Sequence, residues 1–209
     1  MKKLFTTLFI VAGIYTASTA QTKGQTAFGV GFGVNDSYAS VSADYSSGTS
    51  SRLDYNASLQ AEYYVSDNFS LKLKAIYDKK GFEGIYNDVA NAKTVANADF
   101  TFNYVTIPLL VTYHPGTEKL WYFNAGPYVG FLLSESNSYN HQSQKGSGYT
   151  STDYGADLGL GIQFPLSYKN QRTKFFVEYG WQVGFANLLA NSDNSANMVR
   201  QALGLGIRF

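Results

Sequence analysis

The chain ends in an amphipathic β-strand. Residues 202–209 alternate strictly between a large apolar side chain and a small or charged one, and the last residue is aromatic. A period of two is the period of a strand with one apolar face, whereas most soluble domains end in a frayed, polar tail. Any fold of this chain must therefore give that face apolar surroundings. The apolar side comprises Leu203, Leu205, Ile207 and Phe209, and the opposite side Gly204, Gly206 and Arg208.

The amino terminus has the pattern of a secretory signal peptide. Lys2 and Lys3 precede a mostly apolar run at 4–15, and small residues follow at 17–20, which is the order found in exported proteins. A membrane anchor is the alternative, but the apolar run is too short to span a bilayer comfortably. We expect cleavage before Gln21, so that 1–20 is the signal peptide and 21–209 is one mature domain.

Composition restricts the remaining choices. The chain has no cysteine, so neither a disulfide nor a thiolate contributes. Removal of Lys2 and Lys3 with the signal peptide leaves 14 of the 16 basic residues and 15 acidic residues, so the net charge of the mature chain is −1. Such a balance gives no electrostatic basis for binding nucleic acid. After the signal peptide no apolar run reaches the roughly 20 residues of a membrane helix. A membrane role would therefore require strands.

Eight strands are predicted, and the connections between them alternate in length. The three short ones are 66–68, 115–119 and 167–172, and such asymmetry is typical of outer-membrane barrels with short periplasmic turns and long extracellular loops. The pattern predicts an all-β, eight-stranded antiparallel up-and-down transmembrane barrel with both termini in the periplasm of a Gram-negative bacterium. The predicted strands are 26–34, 52–65, 69–80, 100–114, 120–133, 152–166, 173–188 and 198–209, and the long connections are 35–51, 81–99, 134–151 and 189–197.

Alternation does not say which face lies inside, and a soluble lipocalin-like barrel would place its apolar face inward. The terminal Phe209 and the many glycines on the polar face favour the membrane version, because a narrow interior needs small residues. Aromatic residues near the strand ends also resemble interfacial girdles. We expect these girdles to contain Tyr63, Phe69, Tyr113, Trp121, Phe164, Phe175 and Phe209 at the short-turn end, and Tyr77, Phe100 and Phe102 at the long-loop end.

The polar face carries charges that would share the interior. A three-residue turn at 66–68 sets Glu62 opposite Lys72 and Gln60 opposite Lys74, which predicts an ion pair. Pro108 and Pro127 lie inside strands, where each removes a ladder donor, and they predict a bulge or kink. The candidate lumen network, interpreted as structural filling or alternatively as a narrow ion path, comprises Glu62, Lys72, Lys74, Asp157 and Glu178.

Two stretches carry a resemblance to the PorT-like outer-membrane β-barrel family, YVTIPLLVTY at 104–113 and YFNAGPYVGFLL at 122–133. YGADLG at 154–159 and the strand after Lys174 add to it. The resemblance implies a barrel in the outer membrane, and the name-giving member is associated with a protein secretion and surface-attachment system. Many relatives are called porin-like and have no known substrate. These motifs specify the barrel better than any activity.

Little in the sequence indicates catalysis. His114 ends a strand on the short-turn side, where a capping role is expected, and His141-Gln142-Ser143 only resembles the His-x-Ser arrangement of outer-membrane lipases. No cofactor motif or metal-ligand cluster stands out. We expect a structural, binding or assembly role and no enzyme activity, with a porin-like channel, a lipid-modifying enzyme and a soluble binding barrel as alternatives. Lipid should contact the barrel wall, and proteins or glycans are candidate partners for the long connections.

Overall fold

The chain folds into one closed antiparallel barrel. The computed structural model describes residues 23–41, 50–88, 93–137, 149–167, 172–188 and 196–209. Within these ranges each strand pairs with its sequence neighbours and β8 closes on β1, which confirms the predicted up-and-down barrel. The signal-peptide prediction concerns residues outside them. The strands are β1 (Thr26–Val41), β2 (Ser50–Tyr64), β3 (Phe69–Asp88), β4 (Lys93–Tyr113), β5 (Trp121–Asn137), β6 (Thr152–Pro165), β7 (Lys174–Gly184) and β8 (Ala196–Arg208).

Six of the eight strands extend further toward the long-loop end than the sequence analysis predicted, whereas β6 begins as predicted and β7 already ends at Gly184. The predicted connection 35–51 was wrong because 35–37 pairs with both β2 and β8 and 38–41 continues the pairing with β8, which leaves 42–49 between the strands. The predicted 81–99 is mostly strand as well, since β3 and β4 contain 20 and 21 residues. Polar composition suggested loops there, but polar residues occupy both faces of the paired strands: Asn35 and Ser37 are buried inside, and Asp36 and Glu83 lie on the outer face. Corrected connections are 42–49, 89–92, 138–151 and 185–195.

The register agrees with the parity argument made for the second hairpin. Glu62 pairs with Lys72 and Gln60 with Lys74, as the three-residue turn required. Following the paired outward residues once around the barrel from Phe131 leads back to Trp121 on the same strand, ten residues earlier. Eight strands with this stagger enclose an interior just wide enough for side chains.

The outward face is apolar through the short-turn part of the barrel. Leu59 and Leu73 are 57% and 49% exposed, while inward Glu62 and Lys72 are 1% and 0% exposed. This arrangement is the reverse of a lipocalin-like barrel, whose apolar face lies inside. No helix in the described ranges is long and apolar enough to cross a membrane.

The polarity inverts toward the long-loop end of β3 and β4. There Phe100 and Phe102 point inward and are 8% and 1% exposed, so their assignment to an aromatic girdle was wrong. Strand parity separates them from outward Tyr113, whereas the girdle assignment used only their distance from the strand end. The outward positions at this level are polar, among them Asp36, Lys79, Glu83 and Asp99.

The two prolines interrupt pairing without shifting the register. Pro108 pairs with Tyr128, and the ladder resumes in the same register at Val111 and Ala125. Of the predicted bulge or kink, no bulge is present at this depth, but the ladder is interrupted there; the register shift between β4 and β5 lies at Asn103 and Tyr104. The backbones pass close together instead, since a Cβ on Gly126 would lie 2.0 Å from the carbonyl oxygen of Leu109.

We expect a lysine on the outer face to cost stability according to its depth. Leu73→Lys should lower the unfolding free energy by about 2–4 kcal/mol, because the charge would enter hydrocarbon near the midplane. Leu53→Lys is the matched control. Its site lies opposite Asp36 where the polarity has inverted, so it should cost only about 0–1 kcal/mol. Urea unfolding of both variants in lipid vesicles measures the difference, and equal costs would contradict the membrane boundary inferred here.

Candidate functional site

The lumen is filled by side chains that reach across it from facing strands. Glycines on β6 provide the room: a Cβ on Gly161 would lie 2.1 Å from the ring of Tyr122, and one on Gly155 would lie 2.9 Å from the ring of Tyr128. Both tyrosines are buried, at 1% and 4% exposure. The small residues of the polar face therefore accommodate large rings from β5.

The first group of charges lies at the short-turn end and centres on Glu62. Its carboxylate forms an ion pair with Arg208 and lies 3.9 Å from Lys72 Nζ. The Oε1 atom accepts a hydrogen bond from Ser70 Oγ at 2.5 Å and lies 3.0 Å from His114 Nε2. The carboxylate is buried, so these partners supply its hydrogen bonds.

The second group lies at mid-height and centres on Glu178. Its Oε1 forms an ion pair with Lys74 Nζ at 2.5 Å, and its Oε2 accepts a hydrogen bond from Asn124 Nδ2 at 2.9 Å. The Oδ1 atom of Asn124 in turn accepts hydrogen bonds from Lys72 Nζ at 3.1 Å and from Thr112 Oγ1 at 2.8 Å. Asn124 thus joins the first two groups.

The third group lies next to the apolar part of the lumen. Lys80 Nζ is 3.5 Å from Asp78 and 3.4 Å from Asp153, and Arg200 Nε is 2.9 Å from Asp78. Tyr128 donates a hydrogen bond to Asp153 at 3.0 Å. Every member is buried, so the pairing offsets a large desolvation cost.

The three groups together are electrically neutral. Five cationic and five anionic side chains are distributed over them, with Asp157 beside Lys74 and Glu178 in the second group. An interior of low dielectric favours this balance because an unpaired buried charge is costly. The cations are Lys72, Lys74, Lys80, Arg200 and Arg208, and the anions are Glu62, Asp78, Asp153, Asp157 and Glu178.

An apolar cluster closes the lumen beyond the third group. Phe82 and Phe100 stack with ring centroids 5.0 Å apart, and Phe102 packs edge-on against Tyr149 at 4.9 Å. A cavity of about 30 Å³ lies between Lys74, Arg200 and Asn56, which is room for about one water. The buried members of this cluster are Ala39, Phe100, Phe102, Tyr104, Leu132, Leu188, Ala196 and Met198.

The structure places all five sequence-predicted lumen residues inside the barrel. Glu62, Lys72, Lys74 and Glu178 come together across it, and Asp157 accepts a hydrogen bond from Gln182 at 2.6 Å. The sequence analysis missed half of the charged groups. Strand parity was the available signal, because each of them shares the inward parity of its own strand. The missed charges are Asp78, Lys80, Asp153, Arg200 and Arg208, together with His114.

His114 lies inside the barrel and does not cap a strand at the interface. It is 0% exposed and packs between the rings of Tyr64 and Tyr122, with centroids 5.3 and 6.0 Å away. Its Nε2 atom lies 3.0 Å from Glu62 Oε1, so the imidazole belongs to the first group of charges.

The contact of Ser70, His114 and Glu62 does not have the geometry of a hydrolase triad. Ser70 Oγ and Glu62 Oε1 both meet the same ring nitrogen, Nε2, at 3.1 and 3.0 Å. A triad places the acid on the other nitrogen, and Nδ1 of His114 has no hydrogen-bond partner. The hydroxyl is buried as well. The predicted His141 site falls outside the described residues, and no metal-binding group of three side chains occurs within them.

These features define a class of protein: a transmembrane-type β-barrel with an apolar wall and a charged, filled lumen. The sequence profile of the outer membrane protein beta-barrel domain matches residues 19–197. The chain belongs to this family, and it is therefore an outer-membrane β-barrel protein. A search of curated protein sequences found no match to the chain.

Solved structures support the fold at low sequence identity. The outer membrane protein OprG of Pseudomonas aeruginosa is 13% identical, with a TM-score of 0.54 over 91% of this chain and 99% of that one. Neisserial surface protein A is also 13% identical, with a TM-score of 0.51 over 87% and 97%. The outer membrane protein AlkL, solved in lipid bilayers, is 15% identical, with a TM-score of 0.51 over 93% and 94%.

We expect removal of Glu62 to destabilise the barrel strongly. Glu62→Ala should cost about 3–5 kcal/mol, because Arg208 and Lys72 would stay buried without their shared counter-charge. Adding Arg208→Met should recover part of that loss. The control is Asp67→Ala on an exposed turn, where a change within about 0.5 kcal/mol is expected. Urea unfolding measures all three, and a cost for Glu62→Ala no larger than the control's would contradict the central role of this carboxylate.

Proposed function

We propose that the protein is a closed, non-conducting outer-membrane barrel that holds a rigid extension outside the cell for binding or assembly. One observation carries the proposal. At the long-loop end β3 and β4 have an apolar inner face at Phe100 and Phe102 and a polar outer face at Glu83 and Asp99. Such a polarity is that of a sheet in water and the opposite of a sheet in lipid.

Strand length supports an extension of this kind. A strand crosses a bilayer in about 9–11 residues, and β3 and β4 contain 20 and 21. About half of each strand is therefore in excess of the hydrocarbon layer. The aromatic stacking of Phe82 on Phe100 gives that half a core of its own, so it is a rigid platform.

The orientation we propose follows the asymmetry of the connections. Short turns and both termini face the periplasm, and the long connections face the outside, as in other outer-membrane barrels. The resemblance of 104–113 and 122–133 to PorT-like proteins favours an assembly role at the cell surface. Lipid contacts the apolar wall, and the partner is a protein or a glycan. The mixed charges of Lys79, Glu83 and Asp99 suit polar contacts.

Closure of the lumen supports a role without transport or catalysis. Charged pairs occupy its lower and middle parts, and the apolar cluster around Phe102 occupies the remainder. Within the part of the chain that the structure describes, the serine that contacts a histidine is Ser70, which is buried and donates its hydroxyl to a carboxylate. We therefore propose that the outer extension and its connections carry the function.

We expect a partner to contact the outer extension in intact cells. A membrane-impermeant protein crosslinker should give a discrete adduct with the wild type. Charge reversal by Glu83→Lys with Asp99→Lys should remove that adduct, because both side chains lie on the polar outer face. Asp67→Lys with Glu118→Lys at the short-turn end is the control and should keep it. Gel shift and mass spectrometry of the adduct are the readouts. Absence of any wild-type adduct, or its survival in the first variant, would overturn the proposed surface.

A narrow ion channel is the second candidate, because charged side chains line the lumen from Arg208 to Lys80 and surround a water-sized cavity. We expect the purified protein to give no discrete current in a planar bilayer at either polarity. The double variant Phe102→Ala with Met198→Ala should also give no current, because the charged groups at the short-turn end and at mid-height still fill the barrel. Stable single-channel currents from the wild type would instead support the channel.

A further inference from the structure

Three side chains in the lumen have the arrangement needed to form an amide crosslink. Lys72 on β3, Asn124 on β5 and Glu178 on β7 meet across the barrel, and they are 0%, 3% and 8% exposed. Lys72 Nζ lies 3.1 Å from Asn124 Oδ1. Glu178 Oε2 accepts a hydrogen bond from Asn124 Nδ2 at 2.9 Å and lies 3.8 Å from Lys72 Nζ. A nucleophile, an amide and a proton carrier are thus in mutual reach.

We propose that Lys72 and Asn124 join in an intramolecular isopeptide bond, with Glu178 as the group that carries the proton. The bond would link β3 to β5, which are not neighbours in the sheet. It is a covalent modification of the chain's own lumen and is independent of the proposed binding role.

The ion-pair distances around Lys72 favour an uncharged amine. The first two groups hold three cations and three carboxylates, Glu62, Asp157 and Glu178, but these carboxylates are not shared equally. Arg208 contacts Glu62 directly and Lys74 lies 2.5 Å from Glu178. Lys72 is 3.9 and 3.8 Å from the same carboxylates, so it is the cation with the weakest counter-charge. A buried amine in that position is neutral at the least cost, and a neutral amine is the nucleophile that attack on an amide requires.

The reaction is balanced without a further reagent. The lone pair of Lys72 Nζ attacks Cγ of Asn124 and forms a new C–N bond. The negative charge that develops on Oδ1 is stabilised by the hydrogen bond from Thr112 Oγ1, at 2.8 Å in the starting structure, as in other acyl transfers. One amine proton passes through Glu178 Oε2 to Nδ2, the bond between Cγ and Nδ2 breaks, and ammonia leaves.

The site also protects the reaction from water and accommodates its product. The ring of Tyr122 covers Lys72 Nζ at 4.2 Å, which limits hydrolysis of the amide. Glu178, which accepts a hydrogen bond from the leaving Nδ2 atom, also lines the water-sized cavity beside Lys74. Ammonia is about as large as water, so this cavity has room for it. Holding the groups in place makes attack effectively unimolecular, and well-oriented intramolecular reactions gain about 7–11 kcal/mol from this effect.

Mass spectrometry of the whole protein extracted from outer membranes tests the proposal. We expect the denatured wild-type chain to be lighter by one ammonia molecule, and a digest to contain the Lys72 peptide joined to the Asn124 peptide. An amino-terminal Gln21 also loses ammonia when it cyclises, so the joined peptide decides between the two. A folded wild-type chain whose Lys72 and Asn124 peptides are separate would overturn the proposal.

Variants separate the chemistry from simple packing. Asn124→Ala should lose the joined peptide, whereas Asn124→Asp should still form it with loss of water. Asn56→Ala is the matched control: Asn56 is another buried lumen asparagine, but it bonds Asn35 and no lysine, so the Lys72–Asn124 link should persist. Glu178→Gln should slow bond formation during refolding, followed by the joined peptide over time. A joined peptide that forms at the wild-type rate in Glu178→Gln would remove Glu178 from the reaction.

Discussion

Hydrocarbon cannot hydrogen-bond a peptide group, and this constraint determines the rest of the structure. A sheet that enters a bilayer must satisfy every N–H and C=O internally, so it must close on itself. Here β8 returns to β1 through a continuous ladder from Gly29 to Val41. Closure of eight strands with a stagger of ten residues fixes a narrow interior. The glycines of β6 then become necessary, because Tyr122 and Tyr128 would otherwise have no space to cross it.

The same closure makes the lumen charges interdependent. A polar inner face follows from alternation once the outer face is apolar. Charged groups placed there have no bulk water, so each must find a counter-charge within side-chain reach. Glu62 is an example, because its one carboxylate contacts four side chains: Arg208, Lys72, Ser70 and His114. Because carboxylates are shared, some cationic side chains have weaker counter-charges than others. A side chain of that kind is a candidate for chemistry in an otherwise structural network.

Strand parity explains how much could be predicted from the sequence. It gave the register of Glu62 with Lys72, because a turn of odd length between Val65 and Phe69 admits only one alignment. It had already assigned Arg208 to the polar face, and it would also have placed Asp153, Arg200 and Lys80 in the lumen had it been applied to every strand. It was set aside at Phe100 and Phe102, which were assigned by their distance from the strand end, and there the prediction was wrong.

Other features depend on information that local sequence does not contain. Residues 35–41 contain serine, asparagine and aspartate and look like a loop, yet they are strand because β8 pairs with all of them and β2 pairs with 35–37. His114 looks like a strand cap, yet barrel closure brings Glu62 and Tyr122 around it. Contacts across the lumen join residues far apart in the chain, and composition cannot predict them.

The inverted polarity of β3 and β4 and the charged network below it are two solutions to one problem. At the short-turn end the barrel buries charged side chains away from lipid. At the long-loop end it buries aromatic rings away from water. A single strand can serve both media because alternation keeps its two faces independent. The boundary between them lies where Lys80 pairs with Phe102 on the neighbouring strand, and there the side chains that the barrel buries change from charged to aromatic.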